Sequence, residues 1–275
     1  MRAHGRSDRD MTELKVSELA IYPVKSLARI TLQTASVQHF GLAHDRRWMV
    51  VDASGKFVTQ RQHARMCLIQ PVLQDDELRL RAESMPELTV PRPAGRRTRR
   101  VTVWDDQCNA LDCGDDAAVW LSQFLAIDCR LVFFPEDEVR AVDPHYAQPG
   151  DRTAFSDGFP LLLISQASLD DLNSRLVTPV AMTRFRPNLV VRGCEAFAED
   201  QWKEIRIGDL RFRIVKPCSR CIIPGVDPAT GERGREPLRT LAGYRKRGDK
   251  ILFGQNVIAD GQGEIRVGMT VEWVA

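Results

Sequence analysis

Long apolar runs are missing from this 275-residue chain; the longest, such as Pro160-Leu161-Leu162-Leu163-Ile164, is far too short to span a bilayer. No disulfide framework is evident either. Its seven cysteines, at 67, 108, 113, 129, 194, 218 and 221, are odd in number and scattered, and no signal peptide precedes them. They read as reduced thiols, which predicts a cytoplasmic protein. Net charge is only +2, so the chain lacks the strong positive field of a dedicated nucleic-acid binder. Internal repeats and low-complexity tracts are absent too, and the length allows one large domain or two modest ones with a real core. One local excess of charge stands out. Arg92 to Arg100 holds five arginines among prolines and a glycine, a solvated loop or a docking patch for an acidic partner or a phosphate.

What is present is mostly strand-like up to about residue 113. Val16 to Val24 mixes apolar and polar positions, and Arg47-Trp48-Met49-Val50-Val51 with Lys56-Phe57-Val58-Thr59 flanks a turn-forming Asp52-Ala53-Ser54-Gly55, which predicts a hairpin. Leu78 to Ala82 and Arg100 to Trp104 continue the rhythm. Asp115 offers an N-cap to a helix over 116 to 126, and Pro135 to Arg152 is a polar, proline-punctuated connection. Beyond it, Pro160 to Ile164 predicts a strand, Ser165 or Ser168 caps a helix through Leu176, and Pro237 starts a helix carrying Leu238, Leu241 and Tyr244. Short strands over 256–259, 264–267 and 270–274 close the chain.

The most informative segment is Lys216 to Gly231. Ile205 and Ile207, a Gly208-Asp209 turn, and the alternating Leu210, Phe212 and Ile214 predict a hairpin that delivers Lys216-Pro217-Cys218-Ser219-Arg220-Cys221 at its end. A dithiol redox site needs its first cysteine at a helix N-terminus, whereas Ile222-Ile223-Pro224-Gly225 continues here as strand or turn. A structural zinc site wants two more ligands at similar spacing, yet Cys108 and Cys113 are five apart and Cys194 stands alone. Both thiols could simply be small buried hydrophobes. Lys216, Ser219 and Arg220 argue against that, because donors and positive charge favour a thiolate as nucleophile or metal ligand. Spacing alone does not choose the metal.

The run from 216 to 231 resembles the cysteine loop of the MOSC-domain molybdenum enzymes, the family of the mitochondrial amidoxime reducing component and its bacterial relatives. Tyr22-Pro23-Val24-Lys25-Ser26, Asp45-Arg46-Arg47-Trp48, Thr59-Gln60-Arg61-Gln62, Leu111-Asp112-Cys113-Gly114, Phe155-Ser156-Asp157-Gly158, Phe185-Arg186-Pro187-Asn188 and Phe253-Gly254-Gln255-Asn256 look like that family's motifs, in its order. The resemblance covers nearly all of residues 15 to 275. It implies a β-rich α+β fold with a polar tail over 1–14, an N-terminal β-barrel-like module over 15–130 and a MOSC β-barrel module over 131–275 with a few short helices. The earliest strands are expected to complete the second barrel.

The same resemblance implies a molybdenum–pterin cofactor with Cys221 as the metal's protein ligand, and Cys218 as a nearby thiol that does not bind it. Lys25, Ser26, Arg46, Arg186 and Asn188 would grip the pterin's phosphate, with Ser219 and Arg220 beside the ligand. Asp157 would orient a metal-bound oxygen or relay a proton. The implied activity is reduction of N-hydroxylated small molecules such as amidoximes, hydroxylamines and N-hydroxylated bases. An iron–sulfur extension like that of some bacterial relatives is not in this sequence, so an external reductase or small redox protein is expected to supply electrons, with Arg92 to Arg100 as its landing site. The competing reading is a cofactor or sulfur carrier that uses Cys221 for delivery.

Overall fold

The computed structural model describes residues 13–74, 77–93 and 97–275. Most of the tail expected over 1–14, and Arg96 of the arginine cluster, lie outside them. The protein is strand-rich, with four sheets and three α-helices among the described residues.

The largest sheet orders its strands Val271–Val274, Glu204–Ile207, Leu210–Ser219, Lys250–Asp260, Leu161–Ser165, Leu189–Arg192, Lys15–Ile21 and Ile30–Leu32, and a short Lys246–Arg247 strand also pairs with Lys250–Asp260. It therefore draws strands from both sides of residue 130. Alternation explains one face: Ile205, Ile207, Phe212 and Val257 are buried with Leu19, Leu163 and Leu189 in one cluster. The predicted turn at Gly208-Asp209 pairs Ile207 with Leu210. The return strand then runs on to Ser219, longer than the apolar pattern shows, because its polar end stays paired with Lys250–Asp260 through Ser219 and Leu252.

A four-stranded sheet holds Trp48–Asp52, Cys129–Phe133, Asp106–Asp112 and Thr98–Val103. The expected hairpin forms: the Asp52 carboxylate accepts from Ser54 N and Lys56 N, Val51 pairs antiparallel with Phe57, Asp52 N donates to Lys56 O and Val58 N to Val50 O, while Cys129–Phe133 pairs along the other side of Trp48–Asp52. Helix α1 (Asp115–Leu125) begins one residue earlier than predicted and is capped at Gly114 without a side-chain bond. Asp115 is thus the first helical residue and not the cap, and its carboxylate accepts from Arg130 at 2.6 Å. Helix α2 (Gln166–Ser174) does have its serine: Ser165 Oγ accepts from Ser168 N at 3.1 Å, a cap that typically contributes about 1 kcal/mol. Helix α3 (Leu238–Ala242) follows Pro237.

Lys250–Asp260, the strand that carries the cysteine strand on one side, lies against Leu161–Ser165 on the other, and it does so only because Gly254 lets the two approach closely. Gly254, with φ of +80°, would place a Cβ 2.7 Å from Ile164 Cγ1 and 2.8 Å from the Leu163 carbonyl. Gly254→Ala is expected to destabilise the fold by about 3 kcal/mol, from left-handed strain plus overpacking. A chemical-denaturation midpoint equal to that of the unsubstituted chain would show that the two strands part freely.

Candidate functional site

The elements converge on one cavity of about 140 Å³ whose wall includes Lys25, Ser26, Arg46, Asp157, Arg186, Asn188, Ser219, Arg220 and Cys221, together with Cys218 and Arg61. All nine residues singled out from the sequence are thus brought together from five separate stretches of chain. The cavity shares Asp157, Cys218, Ser219 and Asn256 with a broader cleft of about 1010 Å³, which is lined further out by Trp104, Val139 and Lys216.

Backbone conformation marks the site. Ser26, Arg46 and Arg186 all hold left-handed φ, at 69°, 48° and 58°, as does Trp104 at 57°. Such strain in residues other than glycine persists only where the surroundings fix it, and it gathers at functional sites. Tyr22 fixes two of these: its buried ring lies 4.3 Å from the Arg46 guanidinium and 4.0 Å from that of Arg186. Arg46 donates to Asp45 at 2.6 Å, to Asn188 Oδ1 at 2.9 Å and to the Arg186 carbonyl, while Asn188 Nδ2 donates to Ala20 O. Burial brings the Arg186 guanidinium down to about 10, so it is still a cation at neutral pH.

A second network reaches the thiol. Arg61 Nη2 lies 3.5 Å from Cys221 Sγ and 2.7 Å from Asp157 Oδ2. Lys25 Nζ donates to Asp157 Oδ1 at 2.5 Å and to the Phe155 carbonyl at 2.6 Å, and Trp104 Nε1 meets the same Oδ1 at 3.3 Å. Burial pulls the Lys25 ammonium down to about 8, against the opposing pull of Asp157. Burial alone would raise the Asp157 carboxyl, but Lys25 and Arg61 outweigh it and hold it well below the usual carboxylate range. Lys25 therefore sits on Asp157 as well as on the cavity wall, a pairing the sequence did not show.

Cys218 is met by Arg220 Nη1 at 3.1 Å, and Arg220 Nη2 donates to the Phe185 carbonyl. Lys216 departs from expectation: it lines the outer cleft with its ammonium 4.3 Å from the Tyr146 ring. The guanidinium that reaches Cys221 is that of Arg61, whose motif at 59–62 was visible in the sequence without a role attached. Arg61 also stacks 4.6 Å from the Trp104 ring, and nothing in the local sequence announced that tryptophan. The Asp227 turn behaves as its sequence suggests. Gly231 N donates to Asp227 O, Ala229 N to Asp227 Oδ1, and Arg184 anchors Asp227 Oδ2 at 2.8 Å.

The cavity is poised for an anion. Arg61 Nε and Nη1, Arg186 Nη2 and Arg220 Nε are buried without a hydrogen-bond partner among the described residues. Each unpaired buried donor typically costs about 1–3 kcal/mol, and a phosphate-bearing group seated there would recover it. With Cys221 as a soft sulfur donor in the same wall, the residues fit a phosphorylated cofactor that carries a thiolate-tolerant metal. No three of the described His, Cys, Asp or Glu residues cluster as a metal site by themselves, so most of such a metal's ligands would have to come with the cofactor.

The arginine cluster is a different matter. Arg92 pairs with Glu136, Arg97 with Asp115, and Arg99 with Asp112, so acids from the same molecule neutralise much of it.

The chain is similar to known proteins along most of its length. Residues 13–128 match the MOSC N-terminal beta barrel domain and residues 150–272 the MOSC domain. The mouse mitochondrial amidoxime-reducing component 1 is 39% identical, over 97% of this chain and 84% of that one. Its human counterpart is 40% identical over 92% and 81%, and the bovine mitochondrial amidoxime reducing component 2 is 38% identical over 88% and 75%. No helix among the described residues is long and apolar enough to cross a membrane. The chain belongs to the family of MOSC-domain proteins that contains the amidoxime-reducing components.

Proposed function

We propose that this protein is an oxidoreductase that reduces N-hydroxylated substrates, namely amidoximes, hydroxylamines and N-hydroxylated bases, with a molybdenum–pterin cofactor in the cavity and electrons from an external carrier. The observation that carries the reading is the set of buried, unpaired guanidinium donors sharing a wall with Cys221. When bound, the cofactor supplies two-electron chemistry at the nitrogen–oxygen bond. Each turnover consumes two electrons and two protons and leaves the reduced nitrogen base and water.

The residues divide the remaining work. Arg46, Arg186 and Asn188, held by Tyr22 and Asp45, form a rigid donor set for the phosphate, with Ser26 and Ser219 beside it. Cys221 would offer the metal its sulfur, and the Arg61 guanidinium lies 3.5 Å from it. Asp157, ionised throughout the neutral range, is an acceptor and an orienting group, poorly suited to give up a proton itself. Lys25, titrating near 8 and hydrogen-bonded to Asp157, is the residue placed to deliver one. The outer cleft gives a small planar substrate room, with Trp104 as one wall. A reducing compartment such as the cytoplasm suits seven free cysteines.

The test is dye-driven turnover of benzamidoxime with elemental analysis of the purified protein. Near-stoichiometric molybdenum and amidine formation are expected. Labile, cyanolysable sulfur without turnover would instead establish a carrier that uses Cys221 for delivery.

A further inference from the structure

The segment from Arg233 to Lys250 carries seven cations and two acids, in a chain whose whole net charge is +2, so the remainder of the molecule is net acidic. Two of the seven are engaged: Arg245 pairs with Asp200, and Arg233 donates to the carbonyls of Gln60, Arg61 and Gln62. The other five, Arg235, Arg239, Lys246, Arg247 and Lys250, are exposed and meet no carboxylate at ion-pair distance among the described residues. This contrasts with the arginines of 92–100, largely neutralised by their own acids.

Position gives the patch meaning. Lys246 and Arg247 pair with Ile251 and Lys250 in a hairpin, Leu252 pairs with Ser219, and Arg220 N donates to Ile251 O at 2.8 Å. The antiparallel register carries the chain from Ser219 to Cys221 in the direction of Lys250, which lies about 7 Å along its strand from Leu252. Ile222, 54% exposed, adds one apolar contact next to the thiol. None of the hairpin residues lines the broader cleft, whose outer wall includes Trp104 and Val139.

We infer that the hairpin at Lys246–Lys250, with Ile222, is the docking surface for a small redox protein whose own surface is acidic. The inference rests on the reading above that electrons arrive from outside, and it moves the landing site away from Arg92–Arg100. Unpaired cations beside the metal's ligand speed encounter with an anionic partner and orient it within short reach of Cys221. An anionic membrane is a poorer fit, because Ile222 is the one large apolar side chain exposed between residues 216 and 252 and gives little to insert into lipid.

The experiment compares the cofactor-loaded protein with Lys246→Glu/Arg247→Glu/Lys250→Glu and with Arg92→Glu/Arg97→Glu. The probe is a small acidic [2Fe–2S] ferredoxin, with affinity measured at about 20 mM and about 200 mM salt. The triple reversal is expected to weaken binding roughly thirtyfold at low salt and to abolish most of the salt dependence, while the double reversal stays within about twofold. Equal affinity of the triple variant and the unsubstituted protein, no binding by the latter at low salt, or a loss that follows Arg92 and Arg97 would each overturn the inference. So would binding to phosphatidylglycerol vesicles that depends on the three hairpin cations while ferredoxin binding does not. Binding is read without turnover, so a protein that fails to reduce benzamidoxime under dye contradicts the proposed function and leaves the docking result to be judged separately.

Discussion

Cys221→Ser is expected to purify with less than a tenth of the molybdenum of the unsubstituted protein and to lose dye-driven benzamidoxime reduction by more than about a hundredfold, beyond the usual cost of losing an outer partner of a metal site. The physical reason is softness. A serine oxygen is a hard donor, whereas the Cys221 sulfur is soft and polarisable and suits a thiolate-tolerant metal. The substitution nearly preserves volume, and Cys221 is only partly buried, so the melting temperature of the metal-free protein should not move. Cys218→Ser separates ligand from neighbour. Its thiol touches the Arg220 guanidinium at 3.1 Å, and its loss should cost metal affinity no more than the roughly 10–100-fold usual for a group outside the coordination shell. Equal molybdenum in Cys221→Ser and the unsubstituted protein would remove the ligand assignment altogether.

Much of this site was legible because it is built from short motifs whose residues act close to where they sit in sequence. Gly208-Asp209 sets the hairpin, and the alternation of Leu210, Phe212 and Ile214 points the following strand at the cavity, so Cys218 and Cys221 arrive by local rules. Pairing across long separations was not legible. The local turn makes the pairing of Val51 with Phe57 legible, yet nothing near Trp48–Asp52 in sequence names Cys129–Phe133 as the strand on its other side, which only the packed sheet supplies. Asp115 lies inside the helix that it was expected to cap, because Gly114 takes the capping position, and its carboxylate meets Arg130 of another strand. Lys25 was legible as a cavity residue, but its sequence neighbours say nothing of Asp157, 132 positions away. The basic hairpin was overlooked because five arginines in nine residues draw the eye to 92–100, where folding then supplies their counter-ions.

Lys25→Met is expected to cut turnover by about a hundredfold or more, the usual worth of a positioned proton donor, and to change the shape of the pH profile. In the unsubstituted protein, activity should fall as pH rises through about 8, since burial lowers this ammonium from its ordinary 10.5 and the proton leaves there. The variant's residual activity should lack that alkaline limb. Folding responds with the opposite sign. Between about 8 and 10.5 the unfolded chain keeps a proton on Lys25 that the native state has released, so this residue's contribution to stability rises with pH across that window. Asp157 behaves the other way: its folded value is depressed, so its contribution is present above the ordinary carboxylate range and is lost in acid. A phosphate-bearing group in the cavity favours the charged lysine and should push its titration upward, so the limb measured in the loaded enzyme should lie at or above 8, and that of a metal-free sample followed by NMR of the Lys25 side chain near 8. Retention of an unshifted limb by Lys25→Met would assign it to another group, and with it the proton that nitrogen–oxygen cleavage requires.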